Sequence, residues 1–127
     1  MGSLYARSVF FTADAERSLR FYTEELGFAV DWRHDEDGRA FVFQVSLLGF
    51  ELIVNQTEEK TRDRAGRGRV FIGLDDDQGE PLREHILARG IPTDRVEWGR
   101  PTLVLRDADA NEVFIWLPDK AWAGLPS

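Results

Sequence analysis

The chain repeats itself. The segment "RSVFFTAD" near its start is answered half a chain later by "RVFIGLDD", so that Arg7 of the first copy stands where Arg69 stands in the second. Behind each comes a helix-like segment ended by a glycine, "LGF" at residues 26–28 and "RGI" at 89–91, and then three strand-like runs. Each half reads βαβββ. A unit of that size does not bury its apolar face alone, so a tandem copy predicts two similar sheets sharing one core in a single α+β domain. At 127 residues the chain suits one such domain and is too short for two independent ones.

The elements follow from local chemistry. "ARSVFFTA" is rich in strand-formers and stops at Asp14, whose carboxylate can cap the helix "AERSLRFYTEEL". Ala15, Leu19, Tyr22 and Leu26 fall at helical spacing and predict its buried stripe, and Gly27 its end. "FAVDWRH", "AFVFQVSL" and "FELIVNQ" read as strands joined by the turn "DEDGR" and a tight turn at Gly49. In the second copy, strand "VFIGLD" leads to helix "EPLREHILARG", with Pro81 in its first turn. Strands "TDRVEW", "TLVLRD" and "EVFIWLP" complete it. Module one then spans about residues 5–55 and module two about 69–118, with a tail at 119–127. The apolar-poor stretch at about 56–68 reads as a flexible linker.

Composition excludes several functions. There is no cysteine, hence no disulfide, thiolate metal site or cysteine nucleophile, and a reducing compartment is permitted. No secretory leader and no run of about 20 apolar residues is evident, so a soluble, cytoplasmic protein without membrane partner is expected. With 23 acidic against 16 basic residues and a net charge of −7, a nucleic-acid partner is not expected, and the overall field favours cationic ligands. "GRGR" lacks the spacing and the lysine of a phosphate-binding loop, and no nucleophile triad is apparent.

With two βαβββ modules, "ERSLRFYTEELGF" in the first and "LRDADANEVFIWLP" in the last hairpin, the chain resembles the vicinal oxygen chelate superfamily, from about Ala6 to Pro118. That superfamily includes glyoxalase I, extradiol dioxygenases and the fosfomycin and bleomycin resistance proteins. The resemblance implies a curved, concave mixed sheet with helices outside, commonly in a homodimer whose cavities use both subunits. It also implies a divalent-metal site built from the first and last strand of each module. Those positions are here Arg7, Glu51, Arg69 and Phe114. Arginine offers no lone pair and phenylalanine no donor, so one of four ligands survives and no metal or other cofactor is expected. His34, at a strand end, and His85, read as a helix-surface residue, are not placed to replace them. Glu51 is either paired with Arg7 or Arg69 or in contact with a ligand.

Strand alternation puts Glu112, Phe114 and Trp116 on one face, with Glu112 at the cavity rim, and groups Phe11 with Arg7 and Phe71 with Arg69, so one concave face is expected to collect Phe11, Phe71, Phe114 and Trp116. The aromatics are expected either to fill the core or to line a pocket that stacks a flat or cationic compound. Asp107 and Asn111 in "DADAN" are expected to shape the turn. "LGFAVDW" and "WGRPTLVLRDADANEVFIW" look most like the metal-free bleomycin resistance proteins. That likeness implies stacking on Trp98, with Trp32 on the strand before a turn that carries an aromatic in that group and none here. The expected function is metal-free, non-catalytic sequestration of a small molecule, with Arg7, Arg69, Glu51 and Glu112 as polar contacts. The alternative is a metal-dependent lyase, isomerase or dioxygenase with a non-standard ligand set.

Overall fold

The computed structural model describes residues 4–125. Its strands are β1 (Ser8–Thr12), β2 (Ala29–Glu36), β3 (Arg39–Leu47), β4 (Phe50–Gln56), β5 (Arg69–Gly73), β6 (Asp94–Glu97), β7 (Pro101–Arg106) and β8 (Glu112–Trp116). They form two four-stranded mixed sheets of the same order, β1-β4-β3-β2 and β5-β8-β7-β6, each with one parallel pair, β1 with β4 and β5 with β8. The repeat in the sequence is thus a repeat in topology. Helices α1 (Ala15–Arg20) and α2 (Asp76–Arg89) follow β1 and β5. No helix among the described residues is long and apolar enough to cross a membrane.

Asp14, in extended conformation, caps α1 by accepting the Arg17 N–H at 3.1 Å, and Ala15, Leu19, Tyr22 and Leu26 are all buried as their spacing requires. The helix then widens into a π-helical turn at Phe21–Glu25, where the Leu26 N–H reaches back five residues to the Phe21 carbonyl. Gly27 ends it at φ 73°, and a Cβ there would lie 2.6 Å from the Arg89 side chain and 2.7 Å from that of His85. His85 is therefore not a free surface residue: its Nε2 lies 2.7 Å from the Leu26 carbonyl, joining α2 to the end of the first helix. Both hairpins of module one turn on two residues with positive φ, Asp37–Gly38 and Leu48–Gly49, the geometry that matches the twist of the paired strands.

Two expectations change. Helix α2 begins four residues before Glu80, because Asp75 and Gln78 cap each other reciprocally, so Pro81 sits inside the second turn and forgoes the bond to the Asp77 carbonyl. The stretch expected as a flexible linker contains a 3-10 helix, Glu59–Arg64, started by a reciprocal cap between Glu58 and Thr61. Its polar composition reflects exposure of that turn to solvent rather than lack of structure.

One apolar core joins the modules. It gathers Phe10, Tyr22, Phe43, Leu52 and Val54 with Leu82, Ile86, Leu103, Ile115 and Leu117 on the helix-covered faces. A residual apolar space of about 30 Å³ lies within it, room for about one water molecule.

The last hairpin clasps module one through a buried polar network. Asp107 Oδ1 accepts the backbone N–H groups of Asp109 and Asn111, both at 2.9 Å, while its Oδ2 accepts the Tyr22 hydroxyl at 2.8 Å and Asn111 Nδ2 at 3.0 Å. Asn111 also donates to the Phe11 carbonyl and accepts from the Gly68 N–H. Asp109 takes the Thr12 hydroxyl, the Ala13 N–H and the Arg17 guanidinium. Asp107 and Asn111 do shape their turn as expected, but they also hold the π-helical turn that follows α1, through Tyr22, and β1, through Phe11. Burial pushes the Asp107 carboxyl up against the opposing pull of these hydrogen bonds. Burial and the neighbouring Asp107 push the Tyr22 phenol well above its ordinary range.

Candidate functional site

The helices and core cover one face of each sheet; the other face is covered only in part, with Phe71 and Trp116 exposed on the second sheet while Val104 and Phe114 are buried. On the second sheet, strand register orders that face into rows: Arg69, Glu112 and Arg106, then Phe71, Phe114 and Val104, then Gly73 beside Trp116. The turn after β6 adds Trp98. Its N–H donates to the Arg100 carbonyl at 3.1 Å, and Gly99 takes φ 77°, a conformation that suits glycine and folds the chain sharply between β6 and β7.

Four rings meet there. Trp98 stacks on Phe114 with centroids 4.5 Å apart and planes 14° from parallel, and it lies 6.4 Å and 22° from Phe71. Trp116 meets Phe71 edge to face at 5.2 Å, and its indole N–H donates to the Thr102 hydroxyl at 3.1 Å. Phe114 is 4% exposed and acts as the floor, whereas Phe71 and Trp98 are 46% and 42% exposed. Large aromatics left this open carry no core-packing role on their outer faces. Arg69, Val70, Phe71, Trp98 and Phe114 line an open groove of about 190 Å³.

The other expected contacts lie elsewhere. Arg7 pairs with Glu51 at 2.8 Å on the partly covered face of the first sheet, and Gln44 donates to both Glu51 and Asp31. Of the alternatives open for Glu51, the geometry takes the Arg7 pairing. Trp32 sits on β2 opposite Gln44, 43% exposed. Phe11 does not share a face with Phe71, Phe114 and Trp116; it is on β1 opposite Asn55, with the Arg64 guanidinium 5.7 Å from its ring. Side-chain parity relates residues only within one sheet, and each module closes its own. Arg100 escaped the sequence reading. Its guanidinium lies 4.9 Å from the Trp116 ring and donates to the Leu117 carbonyl at 3.0 Å, and the only signal for it was its place in "WGR".

Three of the four implied metal positions, Arg7, Glu51 and Arg69, are in ion pairs. Arg69 stands across from Glu112 between β5 and β8, with Arg69 Nε 3.4 Å from the carboxylate, as Arg7 stands by Glu51 at the start of β1. Glu112 is shared with Arg106, which reaches it at 3.1 Å and Asp94 at 3.2 Å. Among the described residues no three His, Cys, Asp or Glu side chains converge. A guanidinium at two positions repels a divalent ion, and the carboxylates are engaged, so these residues do not fit the metal that the resemblance implies. Calorimetric titration with nickel, manganese and zinc is expected to show no stoichiometric binding tighter than micromolar; a tight one-to-one ion would overturn this reading.

Residues 5–114 match the model of a family described as the Glyoxalase/Bleomycin resistance protein/Dioxygenase superfamily. No curated protein sequence matches significantly. The fold is shared with a bleomycin-binding protein from bleomycin-producing Streptomyces verticillus complexed with copper(II)-bleomycin, at TM-score 0.62 and 20% identity over 93% of this chain and 98% of that one. It is shared with a bleomycin-binding protein complexed with bleomycin, at TM-score 0.64 and 16% identity over 91% and 99%. Lactoylglutathione lyase from Agrobacterium tumefaciens has it as well, at TM-score 0.59 and 16% identity over 98% of each chain. At such identities the likeness is one of fold.

Proposed function

Because this chain belongs to the glyoxalase/bleomycin resistance protein/dioxygenase superfamily, we propose that it is a metal-free binding protein that stacks a flat aromatic small molecule on the partly covered face of its second sheet. The observation that carries this is the ring cluster of Phe71, Trp98, Phe114 and Trp116, held open around a groove instead of closed into the core. A ring laid on the exposed faces of Phe71 and Trp98 would bury apolar area from both partners, worth about 25 cal/mol per Å² before the costs of association. The bleomycin-binding neighbours lend the reading plausibility at the level of fold. The lyase, isomerase or dioxygenase alternative needs a Lewis-acid site, and the donor set described above does not supply one.

The partly covered sheet faces also support a homodimer. Val9 and Trp32 on the first sheet and Phe71, Trp98 and Trp116 on the second are large, apolar and open, and β2 is exposed along its whole length. A second copy would cover the groove of one chain with the first-sheet face of the other, bringing Trp32 and the Arg7–Glu51 pair to the rim. Light scattering at micromolar concentration is expected to give twice the 14.5 kDa chain mass. A monomeric mass would remove this part of the reading.

Stacking is tested by following tryptophan fluorescence while titrating flat aromatic compounds, bleomycin included. Saturable quenching by at least one is expected. Linear, unsaturating quenching by all of them would mean that the rings do not form a binding site.

A further inference from the structure

We infer that the ligand of this groove is an aromatic acid: a planar ring bearing a carboxylate or another small anionic group, held by Arg69. The inference rests on the stacking site proposed above and assigns its ligand class.

The net charge of −7 favours a cation, but that is a property of the whole surface. Bulk charge is screened over about 8 Å at physiological ionic strength, so groups in contact with the ligand decide its sign. Among the residues lining the groove, Arg69 is the one charged side chain and no carboxylate takes part. Its guanidinium carbon lies 4.6 Å from the Phe114 centroid and 5.8 Å from that of Trp98, so it occupies the ring faces that a cationic ligand would seek. At the far end Arg100 does the same over Trp116. Arg100 is itself paired with Asp119 at 3.6 Å, so the sign of the ligand is decided at the Arg69 end.

Arg69 is also poorly satisfied. Among the described residues its ion-pair partner is Glu112, reached from Nε at 3.4 Å, while Arg106 holds the same carboxylate more closely, at 3.1 Å. The Arg69 side chain is 61% exposed and leaves its fork open to solvent beside the rings. Such a fork matches a carboxylate in two parallel hydrogen bonds. The groove, of about 190 Å³, is open on one side, so a fused ring can lie on the exposed faces of Phe71 and Trp98 with its anionic group at Arg69.

The test uses three probes on one ring system, 2-naphthoate, 2-naphthylmethanol and 2-naphthylmethylammonium, titrated calorimetrically into the intact protein at low and at physiological salt. Naphthoate is expected to bind about tenfold or more tighter than the alcohol, and the ammonium weakest. Arg69→Gln should abolish the preference, bringing the naphthoate-to-alcohol affinity ratio to about one whatever the change in absolute affinity. Arg69→Lys should retain part of the preference, having charge without the fork. Equal affinity of acid and alcohol, or preference for the ammonium, overturns the acid assignment and leaves the stacking site standing. Binding of none of the three overturns the stacking site and this assignment together. Circular dichroism of both variants separates a binding loss from a folding defect, and the exposed position of Arg69 favours native spectra.

Discussion

Replacing Asp107 with alanine is expected to destabilise the protein by about 3 kcal/mol, lowering its thermal midpoint by about 10 °C or more. The carboxylate takes hydrogen bonds from the Tyr22 hydroxyl, Asn111 Nδ2 and two backbone N–H groups, and the residue is 8% exposed. Truncation leaves four donors facing a methyl group, each costing about 1–3 kcal/mol where water does not replace the acceptor. The loss also loosens the hairpin that ties module two to α1. Asp107→Asn keeps the shape but turns an N–H₂ group toward two donors, so it is expected to restore only part of the stability. The pH dependence has a definite sign. Because burial raises the Asp107 pKa above 3.8, the folded state binds the extra proton, and this group's contribution to stability grows as pH falls from its folded value toward 3.8. The asparagine variant lacks that gain, so its deficit relative to the parent should widen in acid. Thermal melts of the three proteins between pH 7 and pH 4 check this, and a midpoint for the alanine variant within 2 °C of the parent, an arbitrary margin of about half a kcal/mol, would discount the clasp.

Trp98→Ala is expected to weaken binding of the preferred naphthyl probe by about 10- to 100-fold, as loss of a central aromatic contact does at well-packed sites. Trp98 covers the buried Phe114 ring at 4.5 Å and offers its exposed face to the groove, so truncation removes both a stacking surface and the wall that orders the floor. Trp98→Phe should recover much of the affinity because a face of similar orientation remains. Phe114→Ala should also weaken binding, but Phe114 is nearly inaccessible, and its removal costs about 3–5 kcal/mol of stability besides. The indole substitution is therefore the cleaner measurement. Unchanged affinity in Trp98→Ala, with native spectra, would move the ligand away from this groove.

Much of the architecture was legible because the repeat, the caps and the turns are local. Asp14, Gly27, the Asp37–Gly38 turn and the Gly49 turn each act within a few residues, and each stands where its chemistry placed it. The start of α2 was misread because Pro81 is a strong punctuation mark, while the Asp75–Gln78 cap that outweighs it is a weaker signal. His85 looked like a surface residue because its partner, the Leu26 carbonyl, is 59 positions away. The site divides along the same line. Parity along single strands correctly grouped Glu112, Phe114 and Trp116 and set Phe71 with Arg69. It also suggested that Phe11 joined them, which no rule of alternation can decide across two separate sheets.

The duplicated βαβββ order, and the lack of a metal-donating side chain at Arg7, Arg69 and Phe114, could be read from the chain itself, because periodicity and donor chemistry belong to individual residues and their near neighbours. Tertiary structure alone decided that Glu51 is held by Arg7, that Asp107 reaches Tyr22 and that Arg69 lies over the rings of Phe114 and Trp98. Those contacts depend on which strands lie side by side and how the turns aim their side chains, distances that chain order does not encode locally.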